Sequence, residues 1–157
     1  MAELRQLLED AGYADVRTLL QSGNVVLDTA KEPGAVARDV EKRIAERLGL
    51  DVDVIVRTAA ELADVVEGSP LADVATEPTR HFVVFLSAEA DRAALRALAE
   101  EDFSPDEFAA RGREVYAWCP DGMRDSRLMR QLGGAKLAPT ATMRNWSTVT
   151  KLLEMVR

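Results

Sequence analysis

The last nineteen residues of the chain read Pro139-Thr-Ala-Thr-Met-Arg-Asn-Trp-Ser-Thr-Val-Thr-Lys-Leu-Leu-Glu-Met-Val-Arg157. Apolar residues recur in this stretch at helical spacing, which predicts a final amphipathic helix over a core; they are Trp146, Val149, Leu153 and Val156. Hydroxyl and amide side chains crowd the point where this helix must begin, at Thr140, Thr142, Asn145, Ser147 and Thr148. Because one capping side chain is enough for a helix start, the polar excess beside Arg144 predicts an anion site.

The residues before this stretch predict a set of strands and helices. The continuous apolar run at 81–86 is typical of a central strand that is covered on both faces. It is followed by a helix over 89–100, a short strand near 107–110, a strand over 114–119 and a helix from 125 or 126 to 132. Alternation along the 114–119 strand predicts that Cys119 faces one side of the sheet, and Tyr116 and Trp118 the other.

The first half of the chain predicts a similar set of elements. They are a helix that stops at Gly12, strands at 16–20 and 25–27 around a turn at 21–24, a helix from Pro33 to Gly49, a strand at 52–56 and a short helix from 58 or 59 to 66. A stretch with two prolines and little periodicity follows this set. We therefore expect a first unit over 1–68, a linker over 69–79 and a second unit over 80–157.

Several stretches resemble the signature sequences of one family. The run from Thr142 to Leu153 is similar to the closing signature of the bacterial family called domain of unknown function 1697, and Gln21-Ser-Gly-Asn-Val-Val-Leu27 resembles its second signature. Ser69-Pro70-Leu71, the 82–86 strand and the strand and turn at 115–122 follow in the same order. The resemblance implies an α+β protein made of two consecutive ferredoxin-like (alpha-beta plait) units with antiparallel sheets. It implies no activity, because the family has none assigned.

The first unit departs from the family pattern at its beginning. In the family, a strand that ends in an Arg-Gly-Ile-Asn-like loop precedes the first helix, and this sequence has no counterpart of that strand. The loss of a central strand would leave unpaired backbone groups on both flanking strands. We therefore expect either that the reading frame starts upstream of Met1, or that the chain fills the gap by dimerising or is unstable.

The net charge of −7 is unevenly distributed along the chain. Residues 1–110 carry eleven Lys and Arg against twenty-three Asp and Glu, whereas residues 111–157 carry nine against four. The basic end predicts either a surface that faces an anionic ligand or ion pairs with the chain's own acidic residues. Arg124, Arg127 and Arg130, spaced three apart, are its main candidates for contacts with phosphates.

The turn at 21–24 also allows two interpretations. It is either a simple tight turn, because Gly23 and Asn24 tolerate positive φ, or a backbone nest for an anion with Ser22 and Asn24 as donors. Together with the basic end, this gives ten candidate ligand-binding residues: Ser22, Asn24, Arg124, Arg127, Arg130, Thr142, Arg144, Asn145, Thr148 and Lys151.

The common catalytic and metal-binding motifs do not occur in the sequence. There is no His-Glu-x-x-His, Cys-x-x-Cys, Gly-x-Ser-x-Gly or Gly-x-x-x-x-Gly-Lys-Ser/Thr. The single histidine, His81, precedes a buried strand and is expected to serve packing, and the single cysteine, Cys119, is expected to be a buried inert thiol. The sequence therefore predicts no catalytic residue, metal or cofactor, and disfavours a conventional hydrolase or redox enzyme.

Three functional interpretations remain. The preferred one is a binding module for a phosphate-bearing ligand, such as RNA or a nucleotide, with Arg144 and the helix start as its anchor. The second is an enzyme that acts on a small anionic metabolite between the two units. The third is a purely structural role for Asn145, Trp146 and Thr148 in capping and fixing the final helix. No stretch approaches the roughly 18 apolar residues of a membrane span, so we expect a cytoplasmic protein, monomeric or weakly dimeric.

Overall fold

The chain divides into two compact units in the computed structural model, which describes residues 2–19 and 23–157. Unit 1 comprises Met1–Ala59 and Leu152–Arg157, and unit 2 comprises Ala60–Lys151. The division therefore falls at residue 59, ahead of the 69–79 stretch that the sequence suggests as a linker.

Helices and antiparallel strands alternate along the chain, so the protein belongs to the α+β class, as the sequence predicts. The helices of the described residues are α1 (Ala2–Asp10), α2 (Pro33–Leu48), α3 (Ala59–Glu67), α4 (Arg92–Ala99), α5 (Arg127–Gly134) and α6 (Trp146–Val156), with a 3-10 helix at Pro78–Arg80. The strands are β1 (Ala14–Leu19), β2 (Asn24–Asp28), β3 (His81–Leu86), β4 (Glu107–Arg111), β5 (Glu114–Trp118) and β6 (Ala141–Asn145). Across the described ranges, every helix is too short or too polar to cross a lipid bilayer.

Unit 1 holds a two-stranded antiparallel sheet formed by β1 and β2, with Leu19 opposite Asn24 in the register. Its core consists of buried side chains from α1, β1 and α2 and from the residue before β1: Leu7, Leu8, Tyr13, Val16, Val36, Val40 and Ile44. Helix α2 starts with Pro33 and ends at Gly49, whose φ of 68° is left-handed, so both predicted helix boundaries are confirmed.

The strand expected at 52–56 does not form, because the stretch from 51 to 58 carries no regular secondary structure. Val54 and Val56 still pack against the unit 1 core, and the Val54 N–H donates to Glu41 Oε2 at 2.8 Å. Alternation therefore predicted which side chains turn inward. A strand also needs a neighbouring backbone to hydrogen-bond with, and no such bond joins residues 52–56 to another described residue.

Unit 2 is built on a four-stranded antiparallel sheet with the order β4-β5-β3-β6. Along the chain its elements follow as strand, helix, strand, strand, helix and strand, from β3 to β6. All six residues of β3 are buried, which confirms the central strand predicted from its continuous apolar run.

The two faces of this sheet carry different side chains. On the first face, β3 and β5 pack against α4 and α5 through Phe82, Val84, Leu86, Leu98, Val115, Ala117, Leu128 and Leu132. On the second face, the hydroxyl of Tyr116 donates to the backbone carbonyl of Val65 in α3 at 3.0 Å. Cys119 belongs to the core of the first face, so the predicted opposition of Cys119 and Tyr116 is confirmed.

Strand β6 is an element that the sequence analysis does not predict. The residues interpreted only as a polar cluster at a helix start form a strand beside β3, with Arg144 opposite Val83 and Asn145 opposite Phe82. Apolar periodicity does not reveal β6, because Thr142 and Arg144 occupy the positions on one of its faces.

Two helix boundaries of unit 2 also differ from the predicted ones. Helix α4 begins at Arg92 rather than 89, because the Asp91 carboxylate accepts the Ala94 N–H at 2.9 Å and caps it there. Helix α5 extends through Gly134 rather than ending at residue 132.

Candidate functional site

The junction of β6 and α6 brings together four of the ten candidate residues, Thr142, Arg144, Asn145 and Thr148. Arg144 Nη1 donates to Thr142 Oγ1 and to the Met143 carbonyl, both at 2.7 Å. The Arg144 side chain is half-buried, and this burial lowers the pKa of its guanidinium. The junction therefore holds a positive charge in a partly desolvated position, fixed by its own strand.

The polar groups at the start of α6 are engaged in local hydrogen bonds. Asn145 Oδ1 accepts the Thr148 N–H at 2.9 Å, which confirms the predicted cap. Thr150 Oγ1 donates to the carbonyls of Trp146 at 2.9 Å and Ser147 at 3.1 Å. Much of the polar excess that suggested an anion site is thus accounted for by bonds within the junction.

Replacing Asn145 tests the cap directly. Asn145→Ala should lower the free energy of unfolding by about 1 kcal/mol, because the Thr148 N–H loses its acceptor. Asn145→Asp is the matched control, since it keeps an acceptor oxygen at the same position and should retain most of the stability. Equal losses in both variants, measured by denaturant unfolding, would show that the cap bond is not what stabilises this helix start.

The ring of His81 stacks on the ring of Trp146, with 4.1 Å between ring centroids and 16° between planes. His81 is 2% exposed, and its Nε2 has no hydrogen-bond partner among residues 2–19 and 23–157. Burial lowers the pKa of His81 to about 4, so the ring is neutral at neutral pH. The packing role expected for His81 is confirmed, and the partly buried Trp146 is the ring that covers it.

The three spaced arginines are not equivalent. Arg127 Nη1 pairs with Glu101 at 2.7 Å, Nη2 donates to the Asp102 carbonyl at 2.5 Å, and the guanidinium lies 4.4 Å from the centroid of the Phe103 ring. Arg124 lies in the turn before α5 and Arg130 on α5; both are exposed, and their side chains have no ion-pair or hydrogen-bond partner within the described part of the chain. Only these two keep the free charge that the sequence suggested for all three.

Other basic residues of unit 2 also pair with acidic ones. Arg111 Nη1 lies 3.1 Å from Asp64, and Arg113 Nη2 lies 2.5 Å from Glu61. Part of the basic end therefore serves internal charge pairing, one of the two arrangements that its composition allowed.

The remaining candidates lie elsewhere in the chain. Asn24 is buried in unit 1, and its Nδ2 donates to the Leu19 carbonyl at 3.0 Å, which ties together the two ends of the hairpin turn. Lys151 is exposed on α6. Ser22, the other donor proposed for a nest, lies outside the described residues.

An open depression in unit 2 adds residues that the sequence analysis did not select. It has a volume of about 600 Å³ and is lined by Thr76, Glu77, Thr79, Arg80, Trp118 and Pro120. Arg80 Nη1 donates to the Pro120 carbonyl, while the Arg80 carbonyl accepts the Cys119 N–H at 2.9 Å. The half-buried Trp118 and the exposed Arg80 are thereby held side by side. The antiparallel register of β3 and β5, which places His81 opposite Trp118, is the signal that could have found them.

A chain of hydrogen-bonded polar groups, two buried and one half-buried, lies at the start of α5. The Cys119 thiol donates to Ser126 Oγ at 3.6 Å, and Ser126 Oγ donates to Asp106 Oδ2 at 2.7 Å while accepting the Met129 N–H at 3.1 Å. Burial raises the pKa of Cys119, so its thiol stays protonated, as expected of an inert cysteine. No group of three or more His, Cys, Asp or Glu side chains suited to a metal ion occurs in the described ranges.

The chain is similar to known proteins in sequence and in fold. The family model described as "Protein of unknown function (DUF1697)" matches residues 1–116. Among solved structures, the conserved bacterial protein SP0830 from Streptococcus pneumoniae is similar, with a TM-score of 0.74 and 18% sequence identity over 100% of this chain and 88% of that chain. At this identity the likeness concerns the fold alone. The search of curated proteins gives no match.

Proposed function

The chain belongs to the DUF1697 family, whose members have no known function, so we propose a function that is argued from the side chains of this chain alone. The proposal is a small binding module for a phosphate-bearing ligand, a nucleotide unit that is either free or part of RNA. The observation that carries it is the pairing of Arg80 and Trp118 in one open depression of unit 2.

The two side chains offer the two contacts that a nucleotide needs. Aromatic rings stack on bases regardless of sequence, and guanidinium groups bind phosphate oxygens through paired N–H donors. The Arg80 guanidinium carries five N–H donors, so its bond to Pro120 leaves others for a ligand. The volume of about 600 Å³ lies within the range of roughly 300–1,000 Å³ found for small-molecule sites.

Neighbouring charges support this location. The Glu77 carboxylate already accepts the N–H of Thr79 at 3.3 Å and its hydroxyl at 3.0 Å, which reduces its repulsion of an anion. Arg124 follows Pro120 by four residues and is exposed, as is Arg130 on α5, and the positive charge of both favours the approach of an anion to unit 2. Arg144 and Thr142 are retained as candidates for a ligand at the β6–α6 junction.

A structural role for the C-terminal motif is a second proposal with its own support. Asn145 caps α6, Trp146 stacks on His81, and Arg144 is bonded to its own strand. The ferredoxin-like interpretation of unit 2 is likewise supported by its strand order, β4-β5-β3-β6.

Tryptophan fluorescence provides a test of nucleotide binding. In a Trp146→Phe background, Trp118 is the only tryptophan of the chain, so its emission reports on the depression alone. We expect AMP and a short single-stranded RNA to quench this emission, and inorganic phosphate to compete with them. Trp118→Ala removes the fluorescent reporter, so its binding is measured by calorimetry. The binding free energy should weaken by about 1–3 kcal/mol, the typical value of one base stacked on an aromatic ring.

Charge variants supply the matched comparison. Arg80→Gln should weaken AMP binding about tenfold or more, since a phosphate loses its guanidinium partner. Arg92→Gln removes the same charge from an exposed position on α4 outside the depression and should leave binding unchanged. Equal weakening by both variants, or the absence of quenching by both AMP and the RNA, would contradict the proposed site.

A further inference from the structure

Glu77 is the one acidic residue among those that line the depression in unit 2. Its Oε1 accepts both the N–H of Thr79 at 3.3 Å and the Thr79 hydroxyl at 3.0 Å. Its Oε2 accepts no hydrogen bond from any residue within 2–19 and 23–157. The carboxylate is therefore held through one oxygen, and the lone pairs of the other are available to a ligand.

The backbone fixes Glu77 beside the other two groups of the depression. The Glu77 carbonyl accepts the Arg80 N–H at 3.0 Å, so one hydrogen-bonded turn joins the two residues. The Arg80 carbonyl accepts the Cys119 N–H at 2.9 Å, which ties this turn to the end of β5, next to Trp118. A carboxylate, a guanidinium and an indole therefore border the same depression.

These three groups differ in the part of a nucleotide that each can bind. A phosphate offers acceptor oxygens, which a guanidinium binds and a carboxylate repels. The hydroxyls of the ribose are the hydrogen-bond donors nearest to the phosphate, and they lie between the phosphate and the base. Because the 3′-hydroxyl is esterified within RNA, the 2′-hydroxyl is the donor that a free 5′-nucleotide and a nucleotide in RNA share.

Given the proposed nucleotide-binding function, on which this step rests, we infer that Glu77 Oε2 accepts a hydrogen bond from the ribose 2′-hydroxyl. Glu77 thereby selects ribonucleotides over 2′-deoxyribonucleotides, which have no donor at this position. Thr79 acts as a positioning residue, because its N–H and hydroxyl hold Oε1 and so direct Oε2 into the depression.

Calorimetry on the unmodified chain measures this selectivity with two pairs of ligands. AMP should bind about tenfold more tightly than 2′-deoxy-AMP, near the lower end of what one hydrogen bond to a charged group contributes. The second pair is a short single strand of oligo(A) and the same length of oligo(dA). A preference for oligo(A) as well shows that the site accepts a nucleotide within RNA, whereas a preference confined to AMP identifies a free nucleotide as the ligand.

Glu77→Gln assigns the selectivity to this side chain. The amide keeps an oxygen for Thr79 but places an N–H donor where Oε2 was, so the ratio of the two affinities should fall towards one. Loss of a negative charge near the phosphate changes both affinities alike, so the ratio isolates the contact with the hydroxyl. Glu89→Gln is the matched control, because Glu89 is exposed and follows β3, whereas Arg80 precedes it; the ratio should not change.

The outcomes separate this inference from the proposed function. Equal affinities of the unmodified chain for AMP and 2′-deoxy-AMP would overturn the selectivity and leave the nucleotide site in place. A preference that persists in Glu77→Gln would overturn the role of Glu77, provided that the variant still binds 2′-deoxy-AMP and is therefore folded. The absence of binding by all four ligands would remove both the site and its selectivity.

Discussion

Acidification from about pH 7.5 to about pH 4.5 is expected to lower the free energy of unfolding by roughly 2–3 kcal/mol through His81 alone. Burial holds the pKa of His81 at about 4 in the folded chain, against 6.5 for an exposed histidine. Between these two values the unfolded chain binds a proton that the folded chain does not. Stability is therefore lost as the pH falls from 6.5 towards 4, and it is insensitive to His81 above this window.

Denaturant unfolding of the unmodified chain and of His81→Phe, each at both pH values, measures this contribution. Phenylalanine keeps a ring against Trp146 but cannot titrate, so the pH sensitivity of the variant should be smaller by the stated amount. Asp10, Asp39 and Asp102, whose pKa values are lowered by hydrogen bonds such as that from the Tyr13 hydroxyl to Asp39, lose their contribution to stability mainly below the ordinary carboxyl pKa of 3.8, which lies beneath this window. Identical pH dependence of the two proteins would refute a buried, neutral His81.

Trp146→Ala should cost about 3 kcal/mol of unfolding free energy, the lower end of the range for large aromatic truncations, because the ring is only half-buried. The loss combines the packing of the indole with the uncovering of His81, which stacks on it at 4.1 Å. Once solvent reaches the imidazole, the pKa of His81 should rise from about 4 towards 6.5.

Both consequences have simple measurements. Chemical unfolding gives the stability, and an NMR titration of the chain's single histidine gives the pKa. Trp146→Phe serves as the control, because a smaller ring still covers His81 and should keep most of the stability and the low pKa. An alanine variant with unchanged melting, or with a histidine that still titrates near pH 4, would show that Trp146 does not shield His81.

The parts of the fold that were predicted from sequence are those encoded by local periodicity. The bounds of β3 follow from the largely apolar run at 81–86. The placement of Cys119 and Tyr116 on opposite faces of the sheet follows from the alternation of side chains along β5. Helix ends with a proline or a left-handed glycine, as in α2, were also placed correctly. In each case the residues that carry the signal are neighbours in the chain.

The parts that were missed depend on distant partners. The valines at 52, 54 and 56 alternate as a strand would, but alternation does not say whether another backbone lies alongside. Strand β6 presents the reverse case, since its polar residues hide it from periodicity while β3 provides the hydrogen bonds that create it.

The same distinction applies to the candidate site. The cap by Asn145 was predictable because its acceptor and donor lie three residues apart. The bonds from Arg127 to Glu101 and Asp102 were not predictable, because these two residues are about 25 positions away in the sequence. Arg80 and Trp118 meet only through the register between β3 and β5, so no local motif marks the depression that they line.

The buried thiol of Cys119 makes the unmodified chain its own reporter of transient opening. The side chain is fully buried among the residues beneath α5, and burial raises its pKa, so an alkylating reagent finds neither access nor thiolate in the native state. Modification then proceeds only from molecules in which unit 2 has opened, and its rate measures how often that happens. Because the chain has a single cysteine, the mass of the labelled protein counts opened molecules without any engineered probe.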